Sequence, residues 1–482
     1  MTRGDDVITT IDINLQEIVQ KALRRGLEHT LAESGSAIVM EVKTGKVKAI
    51  ANLGRHTKGW YEDYNYAVGE AVEPGSTFKL ATIMALLEDG YVDLDDTINL
   101  NQGYSTFYNE EMRDASYHQL DSTSIRTAFE ISSNVAFADL VQKHYGDIDV
   151  ENGDKRWIQH LKKFRLNQPV GIEIHGEDNP YVKEAQSKED DWSGITLPWM
   201  SIGYEVELTP LQLLTFYNAV ANDGKLMKPY LVSETQHFGE TLKKFKPTVI
   251  KKQIAKPSTI KKVKELLEGV VENGTAKKLK SNRYRFAGKT GTAQMNYYKF
   301  DRREDIKYRA SFVGYFPAEN PIYSCMVLVE EPKQNGKYGS EVAGPIFREI
   351  ADNCFVYQHK LYPVENGKPK NQFAKNELPQ FDVGYKKDVV KVLHELDLDH
   401  NDRDGVKNWA VLAPKSDTLN IRPRYVSKDV VPNVVGMGLR DALYVLENLG
   451  LKVTFEGAGK VKRQSLKMGT KIRGQTIKLT LQ

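Results

Sequence analysis

Strand-like sequence stands on both sides of a long helical stretch, and this order constrains the fold more than any single motif. Ala37 to Ile50 reads as a hairpin, two β-rich arms joined through Lys43-Thr44-Gly45-Lys46. Far downstream, Arg285 to Gln294 is a glycine-punctuated strand. Ala310 to Phe316 and Ile322 to Glu330 are apolar runs joined by the turn Ala318-Glu319-Asn320-Pro321, and Glu341 to Val356 reads as a closing helix. This order predicts an α+β domain whose sheet is built from both ends of the segment. The helix-rich insertion would lie beside the sheet and leave a cleft at the junction.

Within the insertion, Glu73-Pro74-Gly75-Ser76-Thr77-Phe78-Lys79 reads as a turn that delivers a serine to the first turn of a helix. Leu80, Ile83, Met84 and Leu87 recur at helical spacing, and Gly90 stands where a C-terminal cap belongs. Ser76 then meets unpaired backbone N–H groups at the helix N-terminus, and Lys79 lies one turn on, on the same face. A desolvated lysine can take the proton that makes a serine nucleophilic. Seen alone, a Ser-x-x-Lys is better read as a helix cap beside a surface lysine. Ser258-Thr259-Ile260-Lys261, after Pro257, is read in that way. Upstream, Asn14-Leu15-Gln16-Glu17 looks like a capping-box start. Residues 55–72 and 91–122 look irregular. Ser132-Ser133-Asn134 interrupts two helical pieces, and Thr209-Pro210-Leu211-Gln212 is a strong helix start.

The chain is long enough for two to four domains, and its charged fraction of 27% is that of an ordinary globular protein. A net charge of +3 argues against a general nucleic-acid binder, although lysines and arginines gather in the last 25 residues. Cys325 and Cys354 are too few for a disulfide framework and read as small buried hydrophobes, with a bridge between them left open. No His-x-x-x-His pair and no phosphate loop is present, so no metal and no cofactor is expected. No apolar run approaches the roughly 18–20 residues that cross a bilayer. Nor is there a signal peptide, and the start at Met1-Thr2-Arg3 reads as a boundary inside a longer protein. Residues 1–357 are expected to form one domain and 358–428 a linker. Residues 429–482 are expected to form a small α/β module with a helix from Leu439 to Leu449. Asp388, Val392, Leu393, Leu396 and Leu398 echo Asp441, Val445, Leu446, Leu449 and Leu451 at constant offset. The echo reads equally as a degenerate first copy of that module and as a common amphipathic leucine pattern.

Three motifs follow in order: Ser76-x-x-Lys79, Ser132-x-Asn134 and Lys289-Thr290-Gly291-Thr292. The first opens a helix, the second lies between helices and the third is on a strand. In that order and context the set is specific. Residues 5–357 resemble the transpeptidase domain of class B, division-type penicillin-binding proteins. Ser201-Ile202-Gly203-Tyr204, Thr209-Pro210-Leu211-Gln212 and Asn273-Gly274-Thr275-Ala276 share in the resemblance, and the tail from 429 resembles a PASTA module. Val72 departs from a frequent aromatic, and Glu205 from a frequent glycine. The resemblance implies the penicillin-binding-protein and serine β-lactamase-like fold: an antiparallel sheet flanked by helices, plus an all-helical subdomain. It also implies roles. Ser76 attacks a terminal D-Ala-D-Ala carbonyl. Lys79 is the base, its pKa depressed by a protonated Lys289. Ser132 relays a proton to the leaving nitrogen, and Asn134 holds the donor's amide. Thr290 and Thr292 hold the terminal carboxylate, with Lys289 adding charge. Gly291 leaves room for substrate against the strand, and the N–H groups of Ser76 and Thr292 form the oxyanion hole.

The implied partners are peptidoglycan stem peptides, β-lactams as covalent inhibitors, and membrane division proteins including a glycosyltransferase. The implied location is the extracytoplasmic side of the inner membrane, through an N-terminal anchor. Two other readings stay open. One is a D,D-carboxypeptidase or β-lactamase of the same fold, using water in place of an amine. The other is an inert sensor that binds peptidoglycan or β-lactams.

Overall fold

The structure, a computed structural model, describes residues 4–115, 120–147, 150–187, 189, 191–295, 306–357, 384–395, 398–402, 409–415, 418–423 and 426–482. The chain divides into two compact units, residues 1–361 and 362–482.

The first unit is built on a six-stranded sheet drawn from both ends of the segment, as the strand order in the sequence requires. β1 (Ser34–Glu41), β2 (Val47–His56) and β3 (Gly59–Tyr61) come from the front. β4 (Ala287–Met295), β5 (Lys307–Phe316) and β6 (Tyr323–Glu330) come from the back. The order is β4-β5-β6-β1-β2-β3, antiparallel throughout, so among the described residues β4 is an edge strand. β1 and β6 are apolar and almost wholly buried, because helices cover both faces.

Helix α1 (Ile13–Thr30) covers one face with Leu15, Val19, Ala22, Leu23 and Leu27 buried. Its N-cap is Asp12, whose carboxylate accepts from the Asn14 and Leu15 N–H groups, so the cap lies two residues ahead of the expected Asn14. The closing helix, Ala343–Tyr357, lies on the same face, where Phe347 meets Phe286, Phe312 and Phe316. The other face is covered by the helix Pro210–Ala221. It begins at the expected start, with Pro210 in its first turn, and Thr209 and Gln212 close a capping box there. Asn218 on that helix accepts from Ser324 of β6 (2.7 Å) and donates to the Val42 carbonyl. Cys325 and Cys354 are both free and buried, and burial pushes each thiol pKa upward.

Residues 91–122 differ from the irregular reading. They contain the paired strands Thr97–Asn99 and Ser122–Ser124 and a hairpin of Tyr104–Phe107 with Glu110–Arg113. Each strand is only three or four residues long and largely exposed, so no apolar alternation announces it. Ser258 is not a cap: Lys256 is the N-cap of Pro257–Glu272, and Ser258 lies inside the first turn.

The second unit carries two small sheets. Residues 429–482 form the helix Leu439–Glu447 and the strands Lys452–Glu456, Val461–Gln464 and Thr476–Leu481. The first strand runs parallel to the last, and the middle strand antiparallel to it. Residues 384–423 repeat this connectivity with the helix Lys386–Glu395 and the strands His400–Asp402, Trp409–Lys415 and Thr418–Pro423. Leu393 and Leu446, matched in the echo, are both fully buried, whereas Leu396 lies outside the described residues. Among the described residues no helix is long and apolar enough to cross a membrane.

Candidate active site

The turn that carries Ser76 is pressed against the edge strand β4 by glycines. Gly75–Phe78 forms a 3-10 turn, and the α-helix proper, Lys79–Asp89, begins at Lys79, one short turn later than the sequence suggests. Gly75 has φ +54, and a Cβ there would approach the Thr292 carbonyl oxygen at 3.2 Å. Gly203 has φ +88, and a Cβ there would lie 2.1 Å from the Gly75 oxygen. A Cβ on Gly291 would meet Ser311 Oγ at 2.3 Å and Thr77 Cγ2 at 2.9 Å. Packing of the Ser76 turn on the strand therefore itself demands a glycine at 291. Hydrogen bonds lock the turn: Gly75 N–H to Gly203 O (3.1 Å), and Tyr217 hydroxyl to Thr77 O (2.7 Å). Glu205 occupies the left-handed region at φ +54, where glycine is favoured, and its carboxylate pairs with Lys183 at 2.7 Å.

Lys79, Ser132, Asn134 and Lys289 converge. The fully buried Lys79 Nζ donates to the Ser132 carbonyl (2.7 Å), Asn134 Oδ1 (2.7 Å) and Ser132 Oγ (3.3 Å). From the strand side, the equally buried Lys289 Nζ donates to Ser132 Oγ at 2.8 Å and to the Thr290 carbonyl at 3.1 Å. One hydroxyl thus stands between two lysine nitrogens. Ser132 holds this place with a left-handed backbone, φ +61, which costs a non-glycine residue about 1–2 kcal/mol. Bonds from Ser132 N to Phe129 O and from Ser133 N to Ala128 O fix the bend, and Ser133 caps the next helix, Asn134–Val141. Among the described residues Ser76 Oγ makes no hydrogen bond within 3.5 Å.

The electrostatics follow from burial. Loss of water lowers the Lys79 pKa to about 7, opposed by the negative charge of Asp114. Burial and then the repulsion of Lys79 push the Lys289 pKa well below the usual lysine range. Desolvation is thus the first cause for both lysines, and their like charges, so close to one hydroxyl, oppose double protonation of the pair.

Asp114 carries no motif signal, and it came to light only through the hairpin before it. Its carboxylate accepts from the N–H groups of Asn134 and Val135 (3.0 Å for the latter), capping the helix that presents Asn134. The Asn134 amide nitrogen donates to the Arg113 carbonyl at 2.8 Å, so both ends of its side chain are engaged.

On β4, Thr290 is nearly buried, and its hydroxyl pairs with that of Thr275 at 2.8 Å, which gives the Asn273-Gly274-Thr275-Ala276 segment its place in the site. Thr292 accepts the Gly339 N–H at 3.0 Å, which leaves its own hydroxyl proton to donate. Gln294 N–H points off the sheet to the Tyr204 hydroxyl (3.0 Å). By the two-residue period of a strand, the Thr292 N–H faces the same open edge. Thr292 and Asn134 both line a cleft of about 370 Å³ that also reaches Gln294, Tyr308 and Lys337. Among the described residues no group of three or more His, Cys, Asp or Glu side chains is placed to hold a metal.

The chain is similar to known proteins along most of its length. Residues 35–352 match the penicillin binding protein transpeptidase domain family, and residues 429–482 the PASTA domain family. Stage V sporulation protein D of Bacillus subtilis is 26% identical over 491 residues, covering 99% of this chain and 65% of the relative. A probable peptidoglycan D,D-transpeptidase, PenA of Neisseria gonorrhoeae, is 29% identical over 360 residues, 72% of this chain and 56% of that one. This chain thus spans less than two thirds of either relative. Penicillin binding protein 3 of Mycobacterium tuberculosis, solved with ampicillin, matches with a TM-score of 0.63 at 28% identity, over 74% of this chain and 79% of that chain.

Proposed function

Because the chain belongs to the penicillin-binding protein transpeptidase family, we propose that it cross-links peptidoglycan stem peptides through a Ser76 acyl-enzyme, in septal wall synthesis. The observation that carries this reading is the buried pair of lysines on one serine hydroxyl beside the Ser76 turn. In the proposed reaction Ser76 Oγ attacks the carbonyl of the penultimate D-Ala and its proton passes to the neutral amine of Lys79. The peptide C–N bond breaks as Ser132 gives its proton to the leaving D-Ala nitrogen and regains one from protonated Lys79. An acceptor amine then attacks the ester, its proton passes to Lys79 and on to Ser76 Oγ, and the serine leaves with its hydroxyl restored. Thr292 and Thr290 hydrogen-bond the terminal carboxylate, and Asn134 orients the donor's amide. That incoming negative charge raises the Lys289 pKa and favours its protonated form. The Ser76 and Thr292 N–H groups would stabilise the oxyanion, at roughly 2.7–4 kcal/mol per donor.

β-Lactams are proposed as covalent inhibitors. Membrane division proteins including a glycosyltransferase are proposed as partners, with the catalytic domain on the extracytoplasmic side of the membrane behind an N-terminal anchor. We also propose the division into a catalytic domain (1–357), a linking region (358–428) and a PASTA domain (429–482). The shared strand connectivity supports reading residues 384–423 as a degenerate copy of the last of these.

The test is incubation with a peptide ending in D-Ala-D-Ala and a primary amine acceptor, followed by mass spectrometry of the products. Released D-Ala with a new amide, absent for Ser76→Ala, is the expected result. Released D-Ala with only the free acid would make the chain a hydrolase, and no release would favour an inert binding protein.

A further inference from the structure

The cleft continues beyond the residues that the transpeptidase reading uses, and its outer wall carries a cation held in an unusual way. Lys337 lies on the loop before the closing helix, two residues from Gly339, whose N–H binds Thr292. Its ammonium sits over the rings of Tyr308 (4.7 Å) and Tyr338 (5.4 Å) and reaches the Tyr308 hydroxyl at 3.4 Å. Aromatic faces orient an ammonium without cancelling its charge. The nearest acid on the loop, Glu341, is spent on the backbone N–H groups of Lys337 and Tyr338. Among the described residues no carboxylate pairs with the Lys337 ammonium. On the opposite wall, Arg113 and Glu111 pair with each other at 3.0 Å.

We propose that Lys337 makes this outer cleft a carboxylate-reading subsite for the donor strand, selecting an acidic group on the part of the stem peptide upstream of D-Ala-D-Ala. The inference rests on the transpeptidase reading. A substrate anchored by its terminal carboxylate at Thr292 has its upstream residues in the same cleft as Lys337, Tyr308 and Tyr338. An oriented, unneutralised ammonium favours a carboxylate there over a neutral or cationic group.

Two penicillins that differ by one carboxylate test this: benzylpenicillin and α-carboxybenzylpenicillin. The measurement is the second-order acylation rate constant of each with the wild-type chain, Lys337→Met, Lys337→Glu and Lys337→Arg. Methionine keeps the packing on the tyrosines and removes the charge. Lys337→Met is expected to slow the dianionic penicillin by about five-fold, the upper range for a partly solvated ion pair, while benzylpenicillin stays within about two-fold. Lys337→Glu lowers the ratio further, Lys337→Arg restores it, and added salt erodes the wild-type preference alone. An unchanged ratio in both Lys337→Met and Lys337→Glu, or a parallel fall for both drugs, overturns the subsite and leaves the transpeptidase reading standing. Failure of benzylpenicillin to acylate the wild type sinks that reading, and the subsite with it.

Discussion

Lys79 is a fully buried amine, and its chemistry follows from that. With a pKa lowered to about 7, about half of its population is neutral at neutral pH and can accept a proton. A group whose folded pKa is depressed is charged below that pKa and neutral above it. Acylation by a β-lactam should therefore rise with pH through about 7 and level off above, as a stopped-flow pH profile would show. A rate flat from pH 5.5 to 9 would remove Lys79 from the role of base. Asp114 opposes the depression. Asp114→Asn keeps an acceptor for the Asn134 and Val135 N–H groups and removes the charge, so the rising limb should move to lower pH. Asp114→Ala loses the cap as well and should cost about 1 kcal/mol in a denaturant titration. The convergence of Lys79, Ser132, Asn134 and Lys289 was legible in the sequence through the order and spacing of the three motifs. Asp114 was not, since a lone aspartate after a short exposed hairpin looks like any surface acid.

At the scale of elements, the site is the contact between a 3-10 turn and an edge strand, kept close by the absence of side chains. Gly291→Ala would drive a methyl against Ser311 and Thr77. Overpacking of this kind typically costs about 1–3 kcal/mol. Displacement of the turn by a fraction of an ångström should reduce acylation by more than about ten-fold. Gly90→Ala is the control. Its φ of +72 makes alanine strained by about 1–2 kcal/mol, but a Cβ there meets nothing within 4 Å. It should lower the melting temperature and leave acylation unchanged. The sheet was legible because β1, β5 and β6 are apolar runs bounded by turn residues. The reason for Gly291 was not, because strand pattern does not tell which neighbour will press on it. The hairpin Tyr104–Arg113 stayed hidden for want of apolar periodicity.

At the scale of the molecule, the second unit carries hydrophobic cores of its own. Residues 429–482 bury Val434, Leu446, Ile477 and Leu479, and residues 384–423 bury Leu393, Leu419 and Ile421. Every residue assigned to the chemistry lies in the first unit. A chain ending at residue 361 should therefore fold and acylate within about two-fold of the full chain, since stability and activity are set by contacts within a domain. A loss of acylation on truncation would show that the second unit supports the site. Ser76 is proposed as the nucleophile of an acyl-enzyme that is slow to hydrolyse. Intact-protein mass spectrometry after mixing with benzylpenicillin, with Ser76→Ala alongside, tests it most directly. A one-drug adduct on the wild type that persists for hours and is absent from the variant is the predicted result. An adduct of equal yield on Ser76→Ala, or rapid return to the free mass with the drug consumed, would contradict it.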